Sequence, residues 1–367
     1  MAAPRIVVIG TGIIGASIAW HLTFAGAAVT VVDASEPGGV ATPCSFAWIN
    51  ASWGNPEPYY RLRIRSMAEW RRLAEVVPAL PLSWTGGLCW DQPVAQLQAY
   101  AEEHGRWGYG IRAVAQAEIA LLEPNLLDVP TFALHVAEEG AVEPRLAAVA
   151  LLADAQRRGA KILQRTAVSA LQHGNGRIDG VKTTNGMLPA DHVVLAAGAG
   201  TPALAATADI HLPLQTPPGM LVHSRPHRQL LNGLVMAPGM HMRQTMDGRI
   251  VTGADFSGAD PGTHPAEAAR ILFERSKAAL RGADDLTLDF HTVGYRPTPS
   301  DGFPVIGRPA GRKGLYVAVM HSGVTLAPAV GRFAAEEIVG EREEALLAPY
   351  RPSRFAGSAS AELAKTT

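Results

Sequence analysis

VVIGTGIIGASIAWHL, residues 7 to 22, decides the fold. Gly10, Gly12 and Gly15 form G-x-G-x-x-G after the apolar run Ile6 to Ile9 and before a helical pattern that puts Ile14, Ile18 and Leu22 on one face. Strand, glycine turn and helix in that order make a dinucleotide-binding unit. The first glycine permits a tight turn, and the second lets the backbone approach a pyrophosphate. The third lets the helix pack on the strand, while the N–H groups opening the helix, from Ile13 and Ile14 onward, face the phosphates. A second strand, Ala28 to Val32, ends at Asp33 and Ala34, eighteen residues past Gly15, where a carboxylate takes the ribose hydroxyls of an unphosphorylated adenosine.

The stretch Ile6 to Val32 is poor in charge, as a membrane span or signal peptide would be, but glycines at 10, 12, 15 and 26 cut it into strand, helix and strand. No integral membrane segment is expected. The chain has 367 residues, 47% hydrophobic, enough for a large core and two domains. With 32 Lys and Arg against 33 Asp and Glu, there is no global field to draw nucleic acid or anionic lipid. Cys44 and Cys89 have no CxxC spacing, which fits a reducing compartment, the cytoplasm by default. The twelve histidines include no HExxH pair, and Pro226 separates His223 from His227, so no metal site is expected.

Beyond Asp33 the small-residue loop from Glu36 to Asn50 is unusually apolar and suits a wall against a buried ligand. Tyr60, Ile64, Met67, Trp70 and Leu73 then recur at helical spacing. The arginines at 61, 63, 65, 71 and 72 read mostly as a solvated face shared with Glu69 and Glu75. Residues 81 to 142 look like an insertion with helices near Ala95 to Glu103 and Gln116 to Leu122. A helix runs from Pro144 to Arg158 and ends at Gly159. Strands Lys161 to Arg165, Val168 to Gln172 and Arg177 to Thr183 follow, turned at Gly174-Asn175-Gly176. His192 to Gly200 is a second strand running into glycine. From about Pro213 to His291 strands dominate around a helix from Pro265, which suggests antiparallel structure. A third junction runs from the strand Leu315 to Met320 into Gly323 and a helix to about Gly340. The tail from Arg354 is small and polar and reads as flexible.

Four motifs in order give the chain its resemblance to the D-amino acid oxidase family of FAD-dependent oxidoreductases, which includes glycine oxidase, sarcosine oxidase and D-amino acid dehydrogenase. They are the N-terminal glycine motif with Asp33, LAAGAG at 195 to 200, GYRPTPSDGFPVIG at 294 to 307 and HSGVTLAPAVG at 321 to 331. The resemblance implies a mixed α/β fold, a Rossmann-like FAD-binding domain with a second, largely antiparallel β-sheet substrate domain. The FAD domain would be assembled from residues 1–80, 143–212 and 292–350, the substrate domain from 81–142 and 213–291, and 351–367 would be a flexible tail.

Carried over residue by residue, the resemblance puts the pyrophosphate on Gly10, Gly12 and Gly15 and the ribose on Asp33. Thr42, Ser45 and Ala47 fall at positions lining the pyrophosphate and flavin, and Val168 where backbone meets adenine. Ala197 and Gly198 form the close approach of the second junction. Ser322, Gly323, Val324, Thr325 and Leu326 open the helix whose N–H groups face the flavin pyrimidine, where reduction places negative charge. Arg296 matches the arginine that binds the substrate carboxylate in glycine oxidase, a role suited to a guanidinium fork; an interdomain salt bridge, with Asp301 close by, is the bland reading. His241 and Trp48 fall at pocket positions. Arg243 shares a strand face with His241, and His321 heads the flavin-facing junction.

The resemblance implies oxidation of the C–N bond of an amino acid or N-substituted amino acid, by hydride transfer to flavin N5, to an imine that water hydrolyses. Val293 stands where sarcosine oxidase attaches its flavin through cysteine, so FAD is expected to be noncovalent. Gly239 to Thr245 contains no lysine of the kind sarcosine oxidase uses for oxygen activation, so oxygen, a quinone or a partner protein all stay open as acceptor. The alternatives are a flavin-carrying subunit of an opine-type dehydrogenase that needs partner chains, and an NAD(P)-dependent dehydrogenase.

Overall fold

The computed structural model describes residues 2–52, 54–254 and 260–355. Its first unit is a six-stranded sheet in the order Val305–Gly307, Leu315–Val319, His192–Leu195, Arg5–Ile9, Ala28–Val32, Lys161–Leu163. Every neighbouring pair is parallel except the first. Ile6 and Val8 enter one core while Val7 and Ile9 enter another, so the strand is buried on both faces and its sequence is continuously apolar.

Eight helices accompany the sheets among the described residues: α1 (Ile13–Phe24), α2 (Glu57–Val76), α3 (Val94–Arg106), α4 (Gln116–Leu122), α5 (Pro144–Arg157), α6 (Thr201–Ala206), α7 (Pro265–Ala278) and α8 (Gly323–Ile338). α1, α2, α5 and α8 cover one face of the parallel sheet. α1 and α8 cross so closely that a Cβ on Gly331 would lie 2.4 Å from Ser17 Oγ, and Ser17 donates to the Ala327 carbonyl at 2.7 Å. A three-stranded sheet over Val168–Gly174, Arg177–Thr183 and Gly186–Pro189, with α6, covers the other face. Its first hairpin turns through Asn175 and Gly176 at φ 52° and 73°, the left-handed pair that favours those residues.

The second unit is an eight-stranded sheet, antiparallel except where Leu234–Ala237 runs parallel to Gly87–Cys89. α7 packs on one face. The other face carries Leu221, Met236 and Val251 against Phe46 and Trp48. The insertion at 81–142 supplies three of these strands, Gly87–Cys89, Ile111–Ala115 and Phe132–Val136. The expected boundary between residues 291 and 292 falls inside the strand Leu288–Tyr295, which belongs to this sheet.

The expected flexible tail meets a different environment at its start. Arg351 pairs with buried Glu337, Arg354 with Asp301, and Phe355 is buried. Residues 356–367 lie outside the described residues. No helix among the described residues is long and apolar enough to cross a membrane.

Candidate active site

From Arg5–Ile9 the chain goes to Ala28–Val32 on one side and, later, to His192–Leu195 on the other. This reversal leaves a crevice at the carboxyl ends of the strands, the usual ligand position in such sheets. A cavity of about 1140 Å³ lies there and extends to the eight-stranded sheet. Every expected cofactor residue lines it except Gly15 and Leu326. Gly15 instead packs helix on strand: a Cβ there would lie 2.0 Å from the Gly10 carbonyl oxygen. Leu326 points into the helical core and is fully buried.

The remaining glycines are cradle positions. Gly10 has φ 108°, and a Cβ on it would lie 2.4 Å from the Ala196 carbonyl oxygen. α1 and α8 both start at this cavity, and neither has a side-chain cap from its N-cap residue, Gly12 or Ser322. Thr42 Oγ1 accepts from Ile13 N–H at 3.0 Å, leaving its own proton for a ligand. Asp33 is already well engaged: Oδ2 accepts from Thr11 N–H and Oγ1–H, both at 2.7 Å, and Oδ1 accepts from Ser35 N–H and Oγ–H. These bonds fix the carboxylate on the cavity wall. Two helix N-termini at one elongated cavity, one beside a glycine cradle, fit a ligand with phosphates at one end and an electron-rich group at the other.

The chain matches the DAO family model, described as FAD dependent oxidoreductase, over residues 5–337. It belongs to that family. Glycine oxidase of Pseudomonas aeruginosa is 29% identical, covering 96% of this chain and 99% of that protein. L-proline dehydrogenase from P. horikoshii superposes with a TM-score of 0.85 at 26% identity, covering 96% and 98% of the two chains. Iminodiacetate oxidase from Chelativorans does so at 0.83 and 27%, covering 95% and 99%. The cofactor is FAD, and the chain is an amino acid or amine oxidoreductase.

Toward the eight-stranded sheet the cavity of this FAD enzyme is walled by Arg296, His321, His241 and Trp48. Arg296 follows the edge strand and lies over Gly219, where a Cβ would come within 2.7 Å of Nη2. Asp301 goes to Arg354. His321 is depressed to about 4, by burial first and then by the charges of Arg296 and Arg63, so its imidazole is neutral at pH 7. Its Nδ1 shares a 3.0 Å hydrogen bond with Ser322 Oγ. His241 stands edge-on to Phe46, ring centres 4.6 Å apart.

Arg243 departs from expectation. It shares the buried face with His241 but does not reach the cavity: Nε–H donates to the Phe46 carbonyl at 2.7 Å, and both Nη groups hold Glu143, at 2.8 and 3.2 Å. This ion pair is nearly buried, with side-chain exposures of 5% and 18%. Arg243→Ala is expected to cost about 3 kcal/mol of stability by stranding Glu143, while kcat/KM stays within about threefold. Denaturant unfolding and steady-state kinetics check this; lost activity with unchanged stability would return Arg243 to the substrate.

Two further residues were missed. Arg63, read as part of a solvated face, is 5% exposed and lines the cavity. Glu139, 2% exposed, accepts hydrogen bonds from Trp48 Nε1 at 2.8 Å, Ser52 Oγ at 2.7 Å and Tyr109 Oη, and so holds the Trp48 ring in place. Burial pushes its carboxyl up to about 7 against these hydrogen bonds and the Arg63 charge. A folded-state value above the unfolded one gives stability that is present below pH 4.5 and lost as pH rises through 7. Between pH 5 and 8 the wild type should therefore lose on the order of 2–3 kcal/mol relative to Glu139→Gln, which keeps an acceptor. Parallel pH profiles from denaturant unfolding would contradict this.

Proposed function

We infer that the chain oxidises the C–N bond of an amino acid or N-substituted amino acid whose carboxylate is held by Arg296. The carrying observation is a guanidinium on the cavity wall beside neutral His321, at the end where α8 begins. The relatives named above act, by their names, on glycine, L-proline and iminodiacetate, all carboxylates alpha to an amine nitrogen.

In this reading Gly10, Gly12, Ile13, Ile14 and Thr42 would hold the pyrophosphate, Asp33 and Ala34 the ribose, and backbone at Val168 the adenine. Ser45, Ala47, Ala197 and Gly198 would hold the flavin ring, and the N–H groups from Ser322 to Thr325 would stabilise the negative charge it gains on reduction. When bound, FAD supplies the acceptor for a hydride. Arg296 fixes the carboxylate bidentately, which orients the substrate's C–H bond. Phe46, Leu221 and Met220 make the wall apolar and exclude water. His321, being neutral, can hydrogen-bond without adding charge to the cavity, and the amine reacts in its uncharged form, whose lone pair is free. As the substrate α-hydrogen leaves with its bonding electrons, the nitrogen lone pair forms the C=N bond and the nitrogen releases a proton. Water then gives the oxo acid and an amine or ammonia.

FAD is held noncovalently: Val293 offers no thiol, and burial raises the Cys44 thiol, which lines the cavity, so that it stays protonated. Free Cys44 and Cys89 support a cytoplasmic location. Anaerobic mixing of the purified holoenzyme with D-, L- and N-alkyl amino acids tests the reading. It expects the flavin's visible absorbance to bleach with oxo acid formed one-to-one, and absence of bleaching by every such substrate overturns it.

A further inference from the structure

A second guanidinium faces the same cavity. Arg63 Nε–H donates to the Asn50 carbonyl at 3.1 Å and Nη2–H to Asn50 Oδ1 at 2.6 Å. Among the described residues Nη1 has no hydrogen-bond acceptor and no carboxylate lies within 4 Å of the group. The Tyr59 ring, 5.3 Å from Cζ, gives a cation–π contact but no countercharge. Glu139 feels the Arg63 charge, yet burial draws its own carboxyl toward the neutral form. A cation this buried is costly without an anion. Arg296 lines the same cavity, and His321 feels both charges.

We propose that Arg63 receives a second carboxylate of the substrate, so that the site is built for amino dicarboxylates or N-carboxyalkyl amino acids. This rests on the reading of Arg296 as the holder of the carboxylate next to the reacting carbon. A monocarboxylate reaches Arg296 and leaves Arg63, itself 5% exposed, without a countercharge. A dicarboxylate reaches both and gives Arg63 its countercharge through charge-assisted hydrogen bonds. Asn50, bonded twice to Arg63, holds the fork and leaves Nη1 for the ligand.

The test uses FAD-loaded enzyme and inert ligands. Succinate and glutarate are titrated against propionate and butyrate, read by perturbation of the flavin's visible spectrum. The dicarboxylates are expected to bind about tenfold tighter or more. Arg63→Gln should abolish that preference while moving propionate affinity less than about threefold, and Arg63→Lys should keep part of it. Anaerobic flavin reduction by aspartate and glutamate, compared with iminodiacetate, then separates the two substrate classes. Equal affinities in the wild type overturn the proposal even if Arg63→Gln cannot be obtained folded. An unchanged preference in Arg63→Gln, accompanied by a shifted flavin potential, overturns it by assigning Arg63 to the cofactor. If monocarboxylates bind through Arg296 without dicarboxylate preference, only this inference falls. If neither series perturbs the flavin, the reading of Arg296 falls with it.

Discussion

Arg296→Ala is expected to lower kcat/KM for carboxylate substrates by about a hundred- to ten-thousandfold while the protein still purifies with FAD. The size follows from losing a bidentate, charge-assisted contact worth about 3–5 kcal/mol where water cannot replace it. The sparing of FAD follows from position. The glycine cradle and the α1 N-terminus belong to the parallel sheet unit, whereas Arg296 follows an edge strand of the eight-stranded sheet. Stopped-flow reduction under nitrogen, with the flavin spectrum as loading control, separates the two effects. A variant that reduces at the wild-type rate removes the carboxylate role. One that purifies without flavin would place Arg296 in the cofactor's support.

Gly15→Ala should have the largest effect on the fold itself. Its Cβ would lie 2.0 Å from the Gly10 carbonyl oxygen and 2.9 Å from the carbonyl carbon. Both are backbone atoms, so α1 must move off the strand in a region with no exposed slack. A cost of about 3 kcal/mol or more is expected, with weakened FAD binding. Gly12→Ala is the informative contrast. Its Cβ would meet Thr42 Oγ1 at 3.2 Å and Gly39 Cα at 4.0 Å, a far milder crowding, yet Gly12 lines the cavity. Gly12→Ala should therefore lose flavin with a smaller drop in apoprotein Tm. Equal melting temperatures for Gly15→Ala and the wild type, both flavin-loaded, would contradict the packing argument.

These glycines were legible because their constraint is local: a turn, a close approach and a helix start lie within six residues. The helix from Pro144 ending at Gly159, with φ 107°, and the Asn175-Gly176 turn were legible for the same reason. Arg63 was not, because five arginines spread round α2 suggest solvent. Yet residue 63 lies in the stripe with Tyr60, Met67 and Trp70, all buried, so helical phase alone could have singled it out. Arg243 was misjudged because its partner Glu143 is a hundred residues away and no local pattern joins them. Glu139 drew no notice, since only folding brings Ser52 and Tyr109 to it. Phe355 and Arg354 looked like the start of a polar tail until Asp301 and the core received them.

The central claim is that Arg296 holds a carboxylate beside the carbon that is oxidised. Anaerobic flavin reduction rates for an accepted amino acid and for its primary amide, in wild type and in Arg296→Ala, test it most directly. The account predicts that the wild type prefers the acid by a hundredfold or more, on the order of two charge-assisted hydrogen bonds, and that Arg296→Ala reduces the two at similar rates. A preference that survives in Arg296→Ala would contradict it.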